Sequence, residues 1–334
     1  MDHSDPFHGN SHAEGGGAPV MTTSPVTPGA HGADRPRATA GGMILHAVQG
    51  LLMGTADVIP GVSGGTVALI LGIYERLVDT IHRVAAGGVA LVKGDRARAR
   101  AHWRAAEFSL VLPLGVGIVI ALGIGSLTLP HLIETYPVVT SAVFFGLIVG
   151  ALPIPWRRMS VHGGLHYALA ALGTVAAFVF SGFAPQDVAE PALPLVFGAA
   201  AIAICAMILP GVSGAYLLLV LGMYEVTLQA LGRLDLAYIA VFTAGAVTGL
   251  GAFSKLLSWL LDQRHDATMA VLVGLMVGSL RRLWPWQTET GGLLAAPDSS
   301  ALLLAAVCAG IGIAAVVGLA MLGERSAVPA GRER

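Results

Sequence analysis

Ile59-Pro60-Gly61-Val62-Ser63-Gly64-Gly65-Thr66 puts a proline and three glycines in the middle of apolar sequence. The chain writes nearly the same stretch again at Leu209-Pro210-Gly211-Val212-Ser213-Gly214-Ala215-Tyr216, 150 positions later. Each copy runs on through an apolar segment into Leu-Gly-x-Tyr-Glu, at Leu71 to Glu75 and at Leu221 to Glu225. Proline lacks an N–H and glycine accepts positive φ, so a helix entering either stretch is expected to unwind there. Two such breaks inside apolar sequence are the mark of a duplicated unit built on discontinuous helices.

Composition sets the solvent. Of the 334 residues, 55% are hydrophobic and 12% charged, and the mean hydropathy is +0.74. That lies outside the soluble range and implies a polytopic membrane protein. The net charge of -1 carries little information, because in a membrane protein the placement of Lys and Arg matters more than their sum. Cys205 and Cys308 both lie in apolar runs and are read as small buried side chains, not as a disulfide or a metal site.

Residues 1–41 mix Gly, Pro, His, Ser and Thr without apolar periodicity, and are expected to form a disordered tail with His3, His8, His12 and His31 solvated. The tail has no basic region leading into an apolar core, so it does not read as a signal peptide. The apolar segments then fall at 43–56, 64–82, 108–130, 137–154 and 165–184, and again at 193–209, 214–232, 237–261, 268–284 and 301–322. The longer ones reach the roughly 20 residues needed to cross a bilayer. The short pairs that flank each break suit re-entrant hairpins or broken helices.

The repeat extends beyond the breaks. Gly146-Leu147-Ile148-Val149-Gly150-Ala151-Leu152 matches Gly274-Leu275-Met276-Val277-Gly278-Ser279-Leu280, and at the same spacing Gly117 meets Gly245, Gly123 meets Gly251 and Ser126 meets Ser254. The spacing has dropped because a basic loop at 83–107, with Arg83, Lys93, Arg96, Arg98, Arg100 and Arg104, has no counterpart in the second half. The expected organisation is a tail at 1–41, one membrane repeat at 42–184, a second at 193–322 and a short C-terminal tail at 323–334. If each motif pair returns to its own side or crosses twice, a repeat crosses an odd number of times and the second copy is inverted; a pair that crosses once would make the repeats parallel. The expected fold class is therefore an all-α polytopic membrane protein of two inverted five-element repeats, each opening with a re-entrant or broken helix pair. Placing the basic loop in the cytoplasm puts Arg35, Arg37, Arg76, Arg157, Arg158, Arg264, Arg325, Arg332 and Arg334 on the same side, with both termini. Arg233, Arg281 and Arg282 are left on the outer side.

Each break has the makings of an anion site. A helix beginning near Ser63 or Gly64, or near Ser213 or Gly214, offers a capping hydroxyl, free N–H groups and the positive end of its dipole. Glycine-packed kinks that only bring helices close together are the plainer alternative. Asp57 stands before the first break at apparent membrane depth, where an acid fits either binding of a coupling proton or cation or capping of the Ser63–Thr66 turn. Its equivalent in the second copy is Met207. Glu75 and Glu225 recur after a tyrosine, about three helical turns beyond each break, and fit either a gating role or surface acids at helix ends. Arg281 and Arg282, followed by Trp284-Pro285-Trp286, suit an anionic headgroup or an ordinary helix end at the lipid interface. Gly61-Val62-Ser63-Gly64-Gly65 also fits the nucleophile-elbow pattern, which would make Ser63 a hydrolytic serine. Such a serine needs a base within reach, and the deep histidines His46 and His166 sit in no motif of their own.

Met53-Gly54-Thr55-Ala56-Asp57-Val58-Ile59-Pro60-Gly61-Val62-Ser63-Gly64-Gly65-Thr66, together with Gly72-x-Tyr74-Glu75, Pro210-Gly211-Val212-Ser213-Gly214 and Gly278-Ser279-Leu280 before Trp284-Pro285-Trp286, resembles the bacterial polyprenyl-phosphate transporters called PopT. The resemblance spans about residues 43 to 322. It implies a translocase, not an enzyme, that returns undecaprenyl phosphate from the outer to the cytoplasmic leaflet of the bacterial inner membrane. It also implies a substrate path lined by Ser63, Gly64, Gly65, Thr66, Ser213, Gly214, Arg281 and Arg282, with Asp57, Glu75 and Glu225 as coupling or gating residues. No Walker-type phosphate loop is present, so no nucleotide cofactor is expected, and Asp57 leaves H+ or Na+ coupling open. The implied partners are the lipid and the bilayer, with no nucleic acid. An intramembrane hydrolase, a small-anion transporter and a membrane scaffold are the competing readings.

Overall fold

In the computed structural model the described residues are 40–58, 63–288 and 291–326. The expected N-terminal tail up to residue 39, the Ile59–Val62 part of the first break and residues 327–334 lie outside them. Among the described residues the regular structure is helical, apart from an isolated antiparallel bridge between Gln287 and Leu293.

The first half opens with α1 (Ala40–Asp57), α2 (Gly64–Ile70) and α3 (Tyr74–Val92). The second opens with α9 (Leu193–Ile208), α10 (Gly214–Val220) and α11 (Tyr224–Gly232). The segments expected to run unbroken over 64–82 and 214–232 are each split, and Leu-Gly-x-Tyr-Glu is where the split occurs. Gly72 and Gly222 both have φ of +72°, a conformation that ends a helix. The N–H groups of Gly72 and Ile73 turn back to Leu69 and Ala68, and those of Gly222 and Met223 to Leu219 and Leu218. The axis bends by 104° between α10 and α11. Glu75 and Glu225 therefore sit in the first turn of a new helix, not three turns along an old one.

The basic stretch expected as a loop is also helical. α3 continues to Val92, and α4 (Arg96–Ala105) folds back on it, started by the Asp95 side chain accepting from the Arg98 N–H at 2.9 Å. Trp103 donates to the Val84 carbonyl at 3.2 Å, with its ring against Gly87. An alanine-rich sequence with an N-cap favours this helical hairpin over an open loop.

α5 (Phe108–Thr135), α6 (Pro137–Ala151), α7 (Pro153–Arg157) and α8 (Gly164–Phe180) complete the first half. α12 (Leu236–Gln263), α13 (His265–Ser279) and α14 (Ser299–Ser326) complete the second. One residue joins α5 to α6 and one joins α12 to α13, Tyr136 and Arg264, with nearly the same backbone angles. Thr140 and Thr268 then each reach back to the end of the preceding helix, to the carbonyls of Leu132 and Leu260. Among the described residues four helical spans are long and apolar enough to cross a membrane, at Phe108–Gly125, Pro137–Arg157, Leu236–Gln263 and Ser299–Met321, and the bent α10–α11 pair makes a fifth candidate. The chain is a multi-pass membrane protein.

The most extensive helix pairs are α1 with α5, α9 with α12, α6 with α14 and α8 with α13. Lipid tails are as apolar as leucine, so such pairs rely on close backbone packing and not on the hydrophobic effect. At Gly50 and Gly245 an added methyl would collide with the carbonyls of Leu114 and Phe197, and at Gly146 and Gly274 with those of Ala309 and Ala170. The last two pairs link one half to the other. Exchanging the halves turns α6 on α14 into α13 on α8, so the two pairings are equivalent.

Candidate functional site: the meeting of the two helix breaks

Ser63 and Ser213 cap the short helices that follow the breaks. The Ser63 hydroxyl oxygen accepts from the Gly65 N–H at 3.1 Å and that of Ser213 from the Tyr216 N–H at 3.3 Å. Both are buried. At the first helix a second acceptor is present: Asp57 Oδ1 takes the Gly64 N–H at 2.7 Å. A carboxylate thus occupies the start of α2, where the helix dipole favours negative charge. In the second copy Met207 packs against Gly214 instead. Among the described residues no acceptor serves the Gly214 or Ala215 N–H.

The two breaks touch. The Ser63 hydroxyl donates toward the Leu209 carbonyl at 3.0 Å, with that of Met207 at 3.3 Å, and the Gly211 N–H donates to Thr66 Oγ1 at 3.0 Å. Gly65 allows the approach, since a methyl there would lie 2.5 Å from the Ile208 carbonyl oxygen. Gly211, at φ +80°, lies against the α13 backbone at Met276, which leaves no room for a side chain.

A cavity of about 350 Å³ opens beside this junction. Asp57, Ser213, Gly214 and Tyr224 supply its polar positions, and Leu122, Ile204, Met207, Leu218 and Phe242 are among its apolar walls. A space of that kind suits an amphiphile with a small polar head.

The remaining predicted residues stand elsewhere. Glu75 is half exposed, 3.4 Å from His265 Nε2 and 3.9 Å from Arg158, in a surface cluster. In that cluster Asp266 accepts from the Ser160 and Val161 N–H groups. The Ser160 N–H, with help from His265 and the Val161 N–H, holds the Asp266 carboxyl below its ordinary pKa. Glu225 is exposed, with no partner among the described residues. Arg281 is tied to protein: its guanidinium donates to the carbonyls of Phe178 at 3.0 Å and Gly291 at 3.2 Å and lies over the Phe178 ring. Phe178 is in the last turn of α8, so this cation closes a helix C-terminus. Arg282 instead lies 4.9 Å above the Tyr216 ring, and no described residue accepts a hydrogen bond from its guanidinium. Tyr216 is itself held at its hydroxyl by the Phe183 and Ser181 carbonyls, at 2.7 and 3.1 Å. The deep histidines are engaged away from Ser63, His46 with Gln49 and His166 with the Gly163 N–H.

Asp57, Ser63, Gly64, Gly65, Thr66, Ser213 and Gly214 are therefore gathered at one place, while Glu75, Glu225 and Arg281 are not. Sequence reasoning gave no weight to Tyr224 or to the backbone of Leu209 and Gly211. The signal for Tyr224 is its recurrence, since the tyrosine of Leu-Gly-x-Tyr-Glu stands before the glutamate in both copies.

Paired helix breaks that meet beside a cavity, with four or five candidate spans among the described residues, are the arrangement on which membrane transporters of the discontinuous-helix kind are built. The chain belongs to the VCA0040-like, undecaprenyl phosphate translocase-like family, whose model matches residues 53–301. It is 37% identical over 241 residues to a polyprenyl-phosphate transporter of Vibrio cholerae serotype O1, covering 72% of this chain and 77% of that relative. It is 28% identical over 258 residues to a polyprenyl-phosphate transporter of Staphylococcus aureus, covering 72% of this chain and 86% of the relative. No solved structure gives a significant match.

Proposed function

We propose that this chain carries undecaprenyl phosphate, or a close polyprenyl relative, from the outer to the cytoplasmic leaflet of a bacterial inner membrane by alternating access. In this reading the repeats at 42–184 and 193–322 are inverted relative to one another, both termini are cytoplasmic, and the isoprenoid tail stays in lipid while the phosphate passes the helix breaks. The observation that carries it is the junction of the two breaks, Ser63 to Leu209 and Thr66 to Gly211, beside a cavity with polar positions at Asp57, Ser213, Gly214 and Tyr224. Equivalence of the α6–α14 and α8–α13 pairings under exchange of the halves supports a two-fold relation between them.

The start of α2 is already filled by Asp57 and Ser63, so the phosphate meets Ser213 and Gly214 first. The Asp57 carboxylate shares that cavity, and two anions at close range repel strongly where little water screens them. A proton or Na+ entering with the lipid removes the repulsion, which is the coupling role proposed for Asp57. Arg282, above Tyr216 of the second motif, is proposed to draw in the headgroup; Arg281 positions the segment that carries it.

Reconstitution tests the proposal. Full-length protein in proteoliposomes is expected to speed leaflet exchange of a fluorescent polyprenyl phosphate, and Ser63→Leu with Ser213→Leu is expected to abolish it. Failure of the unaltered protein to speed exchange overturns the reading. Uptake of free inorganic phosphate in its place identifies a small-anion transporter.

A further inference from the structure

Part of the wall that the second half gives the cavity has a closed counterpart in the first half. Leu218 and Tyr224, which wall the cavity, correspond at the 150-position spacing to Ala68 and Tyr74. Phe242 corresponds at the shorter spacing to Leu114. Ala68, Tyr74 and Leu114 are 0%, 1% and 2% exposed and belong to the main hydrophobic core. The same sequence positions therefore form an accessible wall in one half and a packed core in the other.

Tyr74 does not suit the core it is in. Its hydroxyl is fully buried and, among the described residues, meets no hydrogen-bond partner. Buried hydroxyls are nearly always partnered, because stripping one of water without replacement is costly. A phenylalanine fills the same volume without that cost, yet the chain places tyrosine at this position in both copies.

We propose that Tyr74 and Tyr224 are a matched pair of headgroup-contacting residues, each lining the cavity in one of two exchanging conformers. Tyr224 lines it here. In the opposite conformer the first half opens around Tyr74, the second half closes, and the phenol left without a partner is that of Tyr224. A tyrosine hydroxyl in the open half donates to phosphate oxygens, which phenylalanine cannot do. Because each closed half buries one unpartnered hydroxyl, the two penalties offset one another, and removing either one alone shifts the equilibrium. This inference rests on the alternating-access reading above.

The test reads accessibility and needs no cargo. Full-length protein carrying Cys205→Ala and Cys308→Ala, with a single cysteine from Leu218→Cys or from Ala68→Cys, is placed in proteoliposomes and treated with a small water-soluble maleimide. Leu218→Cys is expected to label faster. Tyr74→Phe removes the penalty on the present conformer and is expected to raise the ratio of Leu218→Cys to Ala68→Cys labelling about tenfold. Tyr224→Phe is expected to lower the ratio to a similar extent, and the double variant to restore it. Shifts in the same direction overturn the proposal. So does an unchanged ratio, which identifies the second half as open merely because α11 is shorter than α3 and no counterpart of α4 covers it. Leaflet exchange measured on the unaltered protein decides the transport reading separately.

Discussion

Thr66 in the first helix break accepts a hydrogen bond at 3.0 Å from the Gly211 N–H in the second, across 145 positions of sequence. The Ser63 hydroxyl donates toward the Leu209 carbonyl alongside it. Both bonds satisfy backbone groups at the breaks, and unwound backbone persists at membrane depth only where its polar groups are satisfied by protein or by a wet cavity.

Thr66→Val keeps the shape of the side chain and leaves the Gly211 N–H unpaired. Its expected cost is about 1–3 kcal/mol, the penalty for an orphaned buried donor. Thr66→Ser retains the acceptor and is expected to lose much less. Thermal unfolding in detergent compares the two, and equal loss in both variants would show that methyl packing, not the hydrogen bond, holds the junction.

Asp57→Asn preserves an acceptor for the Gly64 N–H, 2.7 Å away, and removes the charge. The expected outcome is a folded protein whose lipid exchange no longer responds to an imposed proton or Na+ gradient. Asp57→Ala removes the cap as well and is expected to cost about 1 kcal/mol of stability in addition. Gradient dependence that survives in Asp57→Asn would move coupling to another residue.

The two adjacent arginines are expected to separate. Arg281→Met strands the Phe178 and Gly291 carbonyls and should destabilise by about 1–3 kcal/mol. Arg282→Gln breaks no hydrogen bond among the described residues and loses the contact with the Tyr216 ring, so its stability should fall by about 0.5–1 kcal/mol. Its effect is expected in lipid affinity, read as a raised half-saturation concentration in the exchange assay. A melting temperature that falls further for Arg282→Gln than for Arg281→Met contradicts this division.

Leu234 carries a φ of +54°, in the turn between α11 and α12. The turn between α3 and α4 has the same local form, with Gly94 at φ +81°, and both turns are followed by an aspartate cap, Asp95 or Asp235. The left-handed conformation costs an ordinary residue about 1–2 kcal/mol. Leu234→Gly is accordingly expected to stabilise the protein by up to about 1 kcal/mol, after allowing for the greater freedom of glycine in the unfolded chain, measured as a raised melting temperature.

Local chemistry made much of the fold legible. The Pro-Gly-Val-Ser-Gly stretches, the long apolar spans and the glycine pairs at 117 with 245 and 146 with 274 could all be read from residue type and spacing, because breaks, spans and close helix contacts are local requirements. The split at Gly72 and Gly222 was less plain, since a single glycine in apolar sequence reads equally well as a tolerated helix residue. The basic insert reads as a loop because its density of charge masks the helix propensity of its alanines.

What the sequence by itself determined was a membrane-embedded chain with two duplicated helix breaks, each carrying a serine cap. The tertiary structure decided which of the other polar residues join them. Asp57 turns back onto α2, Arg281 is spent on the end of α8, Glu75 goes to a surface cluster, and Tyr224 comes to the cavity. Those outcomes depend on distances between helices that are remote in sequence. A side chain's role here is settled by which unpaired N–H or carbonyl it meets, and that is a property of packing, not of order along the chain.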